Sequence, residues 1–227
     1  MRIPRAIGII LPSSNRVVER VTRDILDDLP GIDACFTRVP YGGHPPDGYT
    51  MQAFREAAQM LAQAQPDVIL WNATRGALIG FEPDRQLAAM IEAETGIACT
   101  TTALATVDHL RQSNLRRIGL VAQGGEADGR RLRQTFASEG IEIVAGHNFD
   151  ISDNFEAANV QPDEIEAHAL RLASTATLDA VLVWSTNLAG HRLAGCPRRD
   201  LHIPVLDSAA LGIMKALGSL PALAAAS

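Results

Sequence analysis

The segment that decides the fold is RAIGIIL (5–11), because it recurs 111 positions later as RRIGLVA (116–122). Each copy is a short apolar run with one glycine, a pattern typical of a strand that is buried on both faces of a parallel sheet. A second pair of segments follows in the same order, since DVILWNAT (67–74) returns 112 positions later as DAVLVWST (179–186). Two matches at nearly the same spacing predict a duplicated unit.

A simpler explanation of the two matches is that all buried parallel strands look alike, because Val, Ile and Leu dominate them. The matched pairs also include Gly8 with Gly119 and Thr74 with Thr186. Strand burial does not require these residues, so they favour duplication over chance similarity.

Apolar runs alternate with amphipathic stretches through both copies of the unit. In the first copy, strands are predicted at 6–11, 32–39, 68–71 and 97–100, each followed by residues at helical spacing. This alternation of strands and helices predicts an α/β fold with two lobes, each a parallel sheet covered by helices on both faces. We place the first lobe at 1–113 and the second at 114–207, and we expect the C-terminal segment 208–227, with a helix over 208–217, to pack back on the first lobe.

Composition excludes several classes of function. The chain has 227 residues, with 20 Lys and Arg against 26 Asp and Glu, and thus a net charge of −6. An acidic chain without a basic run is not expected to bind nucleic acid. No window reaches the ~18 consecutive apolar residues of a membrane span, and the first residues lack the layout of a secretion signal. Three dispersed cysteines, Cys35, Cys99 and Cys196, provide neither a zinc framework nor a complete disulfide set. These features predict a cytoplasmic protein with no membrane partner and no metal.

The duplication also predicts where a ligand binds. Ligands of open parallel sheets bind beyond the carboxyl ends of the strands. Two such lobes related by a pseudo-twofold axis would direct those ends at one shared cleft. Ala73 and Ser185 are equivalent positions in the two copies, and we expect them to face each other across that cleft.

Three predicted turns at these strand ends carry polar side chains. The first turn contains Ser14 and Asn15 ahead of a helix, where free backbone N–H groups suit a carboxylate or a phosphate. Judged from spacing alone, capping of the helix is the favoured explanation of the same residues. A nucleotide-binding module is disfavoured, because neither GxGxxG nor GxxxxGK[ST] is present at the strand ends.

The other two turns follow the equivalent strands. Thr74 can donate a hydrogen bond from its hydroxyl group, and Arg75 can bind a carboxylate through two parallel hydrogen bonds. Arg75 could instead form a surface salt bridge. In the second lobe, Thr186 and Asn187 follow Ser185 and again suit an anion, although helix capping is an alternative here as well.

The residues at these strand ends make the sequence resemble the Asp/Glu racemase superfamily, in the branch of maleate isomerase and arylmalonate decarboxylase. The resemblance spans nearly the whole chain, and its main motifs are IGIILPSSNRVVE (7–19), DVILWNATRG (67–76), DNFEAANVQP (153–162), DAVLVWSTNL (179–188) and IPVLDSAA (203–210). It implies two pseudo-symmetric flavodoxin-like lobes, a site for a small carboxylate or dicarboxylate between them, no cofactor, and a homo-oligomer that is a dimer or larger.

The resemblance also assigns roles to individual residues. Asn15 and Asn154 match the asparagines that hold substrate carboxylates in the family, and Thr74 matches part of its anion-holding turn. At the positions of the family's catalytic cysteines, this chain has other residues. Racemases and maleate isomerase carry one cysteine on each lobe, and arylmalonate decarboxylase keeps only the second, whereas this chain has Ala73 and Ser185. Gln123 and Gly124 occupy the region where many relatives have a tyrosine.

These departures limit the chemistry that the site can perform. A thiol has a pKa of about 8.5 and is partly ionised at neutral pH, whereas an alkyl hydroxyl needs an adjacent base to become a nucleophile. The sequence places no His or Lys beside Ser185, and His191 would reach it only if the following segment folded back. The leading hypothesis is therefore an isomerase-like enzyme acting on a small (di)carboxylate without two-thiol chemistry, with Ser185 as the candidate catalytic group. The alternatives are a decarboxylase or lyase on the same scaffold, and a non-catalytic carboxylate-binding protein.

Overall fold

The computed structural model describes residues 5–40, 48–194 and 202–220. In the first half, the strands and helices alternate as the sequence predicts. They are β1 (Arg5–Pro12), α1 (Val18–Leu26), β2 (Ile32–Val39), α2 (Met51–Ala62), β3 (Val68–Trp71), α3 (Glu82–Thr95), β4 (Ala98–Thr101) and α4 (Thr102–Gln112). A short 3₁₀ helix, Arg75–Leu78, follows β3.

The second half repeats this order. Its elements are β5 (Arg117–Ala122), α5 (Glu126–Ser138), β6 (Glu142–Asn148), α6 (Pro162–Thr175), β7 (Ala180–Trp184), β8 (Val205–Asp207) and α7 (Ser208–Gly218). A 3₁₀ helix, Glu156–Asn159, precedes α6. Within the described ranges, no helix is long and apolar enough to span a membrane.

The two halves form two sheets of identical topology. Each sheet has four parallel strands, in the order β2-β1-β3-β4 and β6-β5-β7-β8. Ile7 pairs with Val68 in the first sheet, and its equivalent Ile118 pairs with Ala180 in the second. The predicted α/β fold with two pseudo-symmetric lobes is confirmed.

The first sheet is covered on both faces, because successive side chains of its strands point in opposite directions. Ile7 and Ile9 of β1 pack with α1 and α7, whereas Ile10 packs with α2 and α3. The helix that closes one face of the first sheet, α7, is therefore supplied by the end of the chain. It also lies against α4.

The second sheet obtains one of its covering helices from the first half in the same way. Val107 and Leu110 of α4 share an apolar core with Ile118 of β5 and with Leu132 and Phe136 of α5. Helix α6 covers the opposite face. Helices α4 and α7 thus each pack on the sheet of the other half.

Strand β4 begins one residue later than the sequence predicts. Helix α3 ends at Gly96, which has a left-handed backbone with φ of 68°, and the N–H of Ile97 then bonds to the Thr95 hydroxyl at 3.2 Å. Ile97 is therefore part of the turn, and pairing with β3 begins where Ala98 meets Val68.

Candidate functional site

A cavity of about 180 Å³ lies between the carboxyl ends of the two sheets. Pro12 ends β1 and Ala122 ends β5, and both residues line it. The segments that follow β3 and β7 supply Ala73 and Ser185, so the two equivalent positions share this cavity. Of the predicted binding residues, Thr74, Arg75, Asn154 and Thr186 line the cavity.

The turn that carries Thr74 and Arg75 packs against a buried cluster of hydrogen-bonded side chains, formed by Tyr49, Trp71 and Asp84. The Tyr49 hydroxyl donates to Asp84 Oδ2 at 3.0 Å and accepts a hydrogen bond from Trp71 Nε1 at 3.2 Å. Any side chain at Gly76 would overlap the Asp84 carboxylate, so only glycine fits there. The cluster therefore fixes the backbone of this turn at one edge of the cavity.

Burial alters the titration of two groups in this cluster. It raises the pKa of Asp84 to about 6, although hydrogen bonds from Thr101 and Tyr49 act in the opposite direction. Burial, together with the nearby Asp84 charge, also raises the pKa of Tyr49 well above its usual value. The Tyr49 hydroxyl therefore stays protonated and serves as a donor.

Ser185 has an amide as its neighbour rather than a base. Its Oγ donates to Gln123 Oε1 at 2.8 Å and accepts from the backbone N–H of Asn187 at 3.1 Å. His191, which the sequence left open as a partner, points elsewhere, because its Nε2 lies 2.8 Å from Asp24 Oδ2 on α1. A hydrogen bond from His191 holds the pKa of Asp24 below its usual value.

Three of the predicted binding residues, Ser14, Asn15 and Asn187, are not among the residues that line the cavity. Asn15 Oδ1 accepts from the N–H groups of Val17 and Val18, both at 2.9 Å, and so caps the start of α1. Asn15 Nδ2 donates to the carbonyl and hydroxyl oxygens of Thr186, at 3.1 and 3.2 Å. In this structure, Asn15 caps a helix and joins the two halves of the chain.

The other asparagines extend this connection. Asn154 Nδ2 donates to the Ser14 hydroxyl at 2.9 Å, and the Asn154 carbonyl accepts from Asn187 Nδ2. Asn187 Oδ1 accepts from the N–H of Arg16 at 2.9 Å. Of these residues, only Asn154 also reaches the cavity.

Four polar residues of the cavity, Gln123, Asp128, Asp150 and Ser152, were missed as binding groups by the sequence analysis. Gln123 was noted only for the absence of a tyrosine, and Asp128, Asp150 and Ser152 were not considered. Asp150 comes two residues after β6, so the rule that sites lie at the carboxyl ends of strands could have found it. Asp128 lies in the first turn of α5, where an acidic residue is ordinarily explained by the helix dipole.

No cysteine of the described residues belongs to the candidate site. Cys35 and Cys99 are free, and neither lines the cavity. Burial strongly raises the pKa of the Cys99 thiol, which opposes formation of a thiolate. Cys196 lies outside the described residues.

Comparison with known proteins identifies relatives that cover nearly the whole chain. Maleate isomerase of Nocardia farcinica is 27% identical over 227 residues, covering 95% of this chain and 90% of that protein. A structure of the N. farcinica maleate cis-trans isomerase, a cysteine-to-serine mutant with a covalently bound succinylcysteine intermediate, superposes with a TM-score of 0.83 at 24% identity, covering 95% and 92% of the two chains.

An arylmalonate decarboxylase crystal structure has the same fold. Its TM-score is 0.77 at 20% identity, with 96% of this chain and 94% of that chain covered. The family model for arylmalonate decarboxylase matches residues 45–226, which is well over half of the sequence. The chain therefore belongs to the arylmalonate decarboxylase family.

Proposed function

We propose that this protein is a cofactor-independent enzyme that binds a small carboxylate or dicarboxylate between its lobes and transforms it without thiol chemistry. The observation that supports this most directly is the shared cavity, to which each lobe contributes the residue at the same duplicated position, Ala73 and Ser185. Its relatives include a maleate isomerase and an arylmalonate decarboxylase, whose names both indicate small acids.

Most of the polar groups around the cavity suit an anion, whereas the carboxylates of Asp128 and Asp150, which also line it, disfavour one. Thr74 and Thr186 bring hydroxyl groups, Asn154 and Gln123 bring amides, and Arg75 brings a permanent positive charge. Leu78, Leu132, Ile151 and Trp184 provide apolar surface nearby. A ligand with one or two carboxylates and a short carbon skeleton suits this combination.

The first experiment measures binding and turnover together. Maleate, aspartate, glutamate and phenylmalonate are each incubated with the protein, and products are followed by proton NMR while binding is followed by thermal shift. A thermal shift accompanied by isomerised, racemised or decarboxylated product supports the proposal. The absence of both a shift and a product for all four acids contradicts it.

A matched pair of variants links any signal to the cavity. Thr74→Val removes a hydroxyl from the cavity while nearly preserving its shape, and Thr175→Val makes the same change on the exposed end of α6. We expect Thr74→Val to weaken binding and Thr175→Val to leave it unchanged. Equal effects of the two variants would place the binding site elsewhere.

A second candidate function is carriage or sensing of the same acid without turnover. It is favoured by one observation, the pairing of Ser185 with the neutral amide of Gln123 rather than with a group that could accept its proton. In the experiment above, this candidate predicts a thermal shift without product for the bound acid.

A further inference from the structure

Gln123 and Ser185 form a defined pair on the second-lobe side of the cavity. Gln123 directly follows β5, Ser185 directly follows β7, and both residues line the cavity. Their side chains are joined by the hydrogen bond of 2.8 Å from Ser185 Oγ to Gln123 Oε1. Neighbouring parallel strands therefore hold the two polar side chains side by side.

The Ser185 hydroxyl group makes two hydrogen bonds, one as donor and one as acceptor. A hydroxyl has one hydrogen to donate, and here its oxygen already accepts from the N–H of Asn187 at 3.1 Å. The hydroxyl hydrogen points to Gln123, whose carbonyl oxygen Oε1 accepts it. This fixes the Gln123 amide in one of its two orientations, with the carbonyl toward Ser185 and the amino group away from it.

The amino group of Gln123 is left available in this orientation. Within the described parts of the chain, Nε2 of Gln123 makes no hydrogen bond, and it is not among the polar atoms sealed from solvent. An amide Nε2 donates two hydrogens and accepts none. The partner that completes this group must therefore be an acceptor, such as an oxygen of a carboxylate.

From this geometry we propose that Gln123 determines specificity by donating from Nε2 to a carboxylate of the substrate, and that Ser185 is a positioning residue which acts through Gln123. The inference rests on the proposed function and assigns to one side chain the recognition of the acid. It also gives Ser185 a role other than attack on the substrate, because a neutral amide oxygen is too weak a base to remove the hydroxyl proton.

The test is a double-mutant cycle with Gln123→Met, Ser185→Ala and the double variant. Methionine approximates the shape of glutamine without its donor, and Gln134→Met on the exposed side of α5 serves as the control. Binding of maleate and phenylmalonate is measured by calorimetry, and turnover is measured where it occurs. Circular dichroism and the melting temperature verify that each variant is folded.

We expect Gln123→Met to weaken binding roughly ten- to hundredfold, the range for loss of a hydrogen bond to a charged group. Ser185→Ala should cause a smaller loss in the wild-type background and none when Gln123 is already Met. Equal losses from Ser185→Ala in both backgrounds would overturn the positioning role. Unchanged binding by Gln123→Met would overturn the specificity role.

A second variant covers the case in which Gln123→Met does not fold. Gln123→Glu keeps an oxygen for Ser185 but replaces the amide donor with a carboxylate that repels anions. We expect weak binding at neutral pH that recovers as the pH is lowered and the new carboxyl group becomes protonated, because it can then donate. A pH profile parallel to that of the wild type would contradict the inference.

Failure of the inference and failure of the proposed function give different results. If the wild type binds none of the four acids tested for turnover, the proposed function is wrong and this inference falls with it. If the wild type binds an acid while Gln123→Met binds it equally well, only the role of Gln123 is wrong. Side-chain amide NMR is a readout without ligand, since the Gln123 signals should shift in Ser185→Ala, and unchanged signals would contradict the positioning role.

Discussion

At the scale of single residues, the chemical character of the cavity depends on the side chains that follow two equivalent strands. Ala73 and Ser185 share the cavity, so one wall carries a methyl group and the other a hydroxyl group. The hydroxyl is engaged by Gln123 and by the N–H of Asn187. The site therefore has different chemistry on its two sides despite the symmetry of the fold.

The first prediction is that Ala73→Cys combined with Ser185→Cys yields detectable racemase or cis–trans isomerase activity. Two thiols would then meet one substrate from opposite sides, and a thiol is a far better acid, base and nucleophile near neutral pH than a hydroxyl. Efficiency should stay low, because Gln123 and Gly124 occupy the region of the family tyrosine. Conversion of maleate to fumarate and racemisation of aspartate are measured, with each single variant as a control; a double variant that is folded but inactive in both assays would contradict the prediction.

The second prediction concerns the charge of the cavity. Its charged residues in the described part of the chain are Arg75, Asp128 and Asp150, so acidic side chains outnumber basic ones. Asp150 has a left-handed backbone with φ of 57°, which asparagine also tolerates. Asp150→Asn should therefore fold normally and bind a dianion more tightly, about threefold at low salt, because it removes one repulsive charge.

Salt provides the control for this effect. The gain from Asp150→Asn, measured by titration with maleate, should shrink as the ionic strength rises, since salt screens exposed charges. A gain that is independent of salt, or no gain at all, would show that Asp150 does not act on the ligand through its charge.

At the scale of the elements, the turn after β3 depends on support from the segment that precedes α2. Tyr49, just ahead of α2, connects Trp71 at the end of β3 to Asp84 at the start of α3. The rings of Tyr49, Phe54 and Trp71 also pack edge to face. One side chain thus joins three elements beneath the cavity.

The third prediction is that Tyr49→Phe destabilises the protein by about 1–3 kcal/mol and weakens ligand binding. The change keeps the ring contacts but leaves Trp71 Nε1 and Asp84 Oδ2 without their shared partner in a buried place, which is costly. Chemical unfolding measures stability, and Trp71→Phe, which removes the Nε1 donor together with part of a buried ring, gives the comparison. If Tyr49→Phe is as stable as the wild type, the hydroxyl does not support the turn.

Most of the architecture could be predicted from the sequence, whereas the contacts of the site could not. The segments RAIGIIL and DVILWNAT are predominantly apolar, which predicts buried strands. The structure has helices on both faces of the sheet that contains them. Helix α4 carries an equally clear apolar stripe, but a stripe does not indicate which sheet it will cover, and Val107 and Leu110 pack with the second half. Likewise, the composition of the turn after β7 could not show that Ser185 would bond to Gln123, since that depends on the register of β5 against β7.

At the scale of the whole molecule, the two halves are joined by buried polar contacts and by the terminal helix. Asp207 is the last residue of β8 and caps α7, because its Oδ1 accepts from the N–H of Ala210 at 2.9 Å. Burial raises the pKa of Asp207 to about 7, although backbone hydrogen bonds from Ala210, Gly190 and Ala209 favour the charged form. The carboxyl group that starts this helix therefore titrates in the physiological range.

The fourth prediction follows from the sign of this shift. Because the folded protein holds the Asp207 proton more tightly than the unfolded chain, this group lowers stability as pH rises from about 4 to about 7, by at most ~1.4 kcal/mol per pH unit. Asn caps a helix as well as Asp does. We expect Asp207→Asn to be more stable than the wild type at pH 8, with the difference shrinking toward pH 4, as measured by urea unfolding; a constant difference would show that Asp207 does not titrate in this range.

The fifth prediction concerns the exchange of helices between the halves. Fragment 1–113 lacks α7, which covers β1 and β3, and fragment 114–227 lacks α4, which covers β5. Each fragment alone should expose a large apolar sheet face and fail to fold cooperatively. Mixing or co-expressing the fragments should restore a folded complex, detected by size-exclusion chromatography and circular dichroism, whereas independent folding of either fragment would contradict this view.

The same exchange of helices has a consequence for the ancestry of the duplicated gene. A half-length ancestor with this topology would have ended in a helix equivalent to α4 and α7. Because that helix packs on the sheet of the other half, the ancestor would have needed a second identical chain, and the two chains would have exchanged their last helices. Fusion of two copies of such a gene would turn an association between molecules into one within a single chain. It would also release the two copies of each cavity position from sequence identity, so that the equivalent positions can carry different side chains, as Ala73 and Ser185 do.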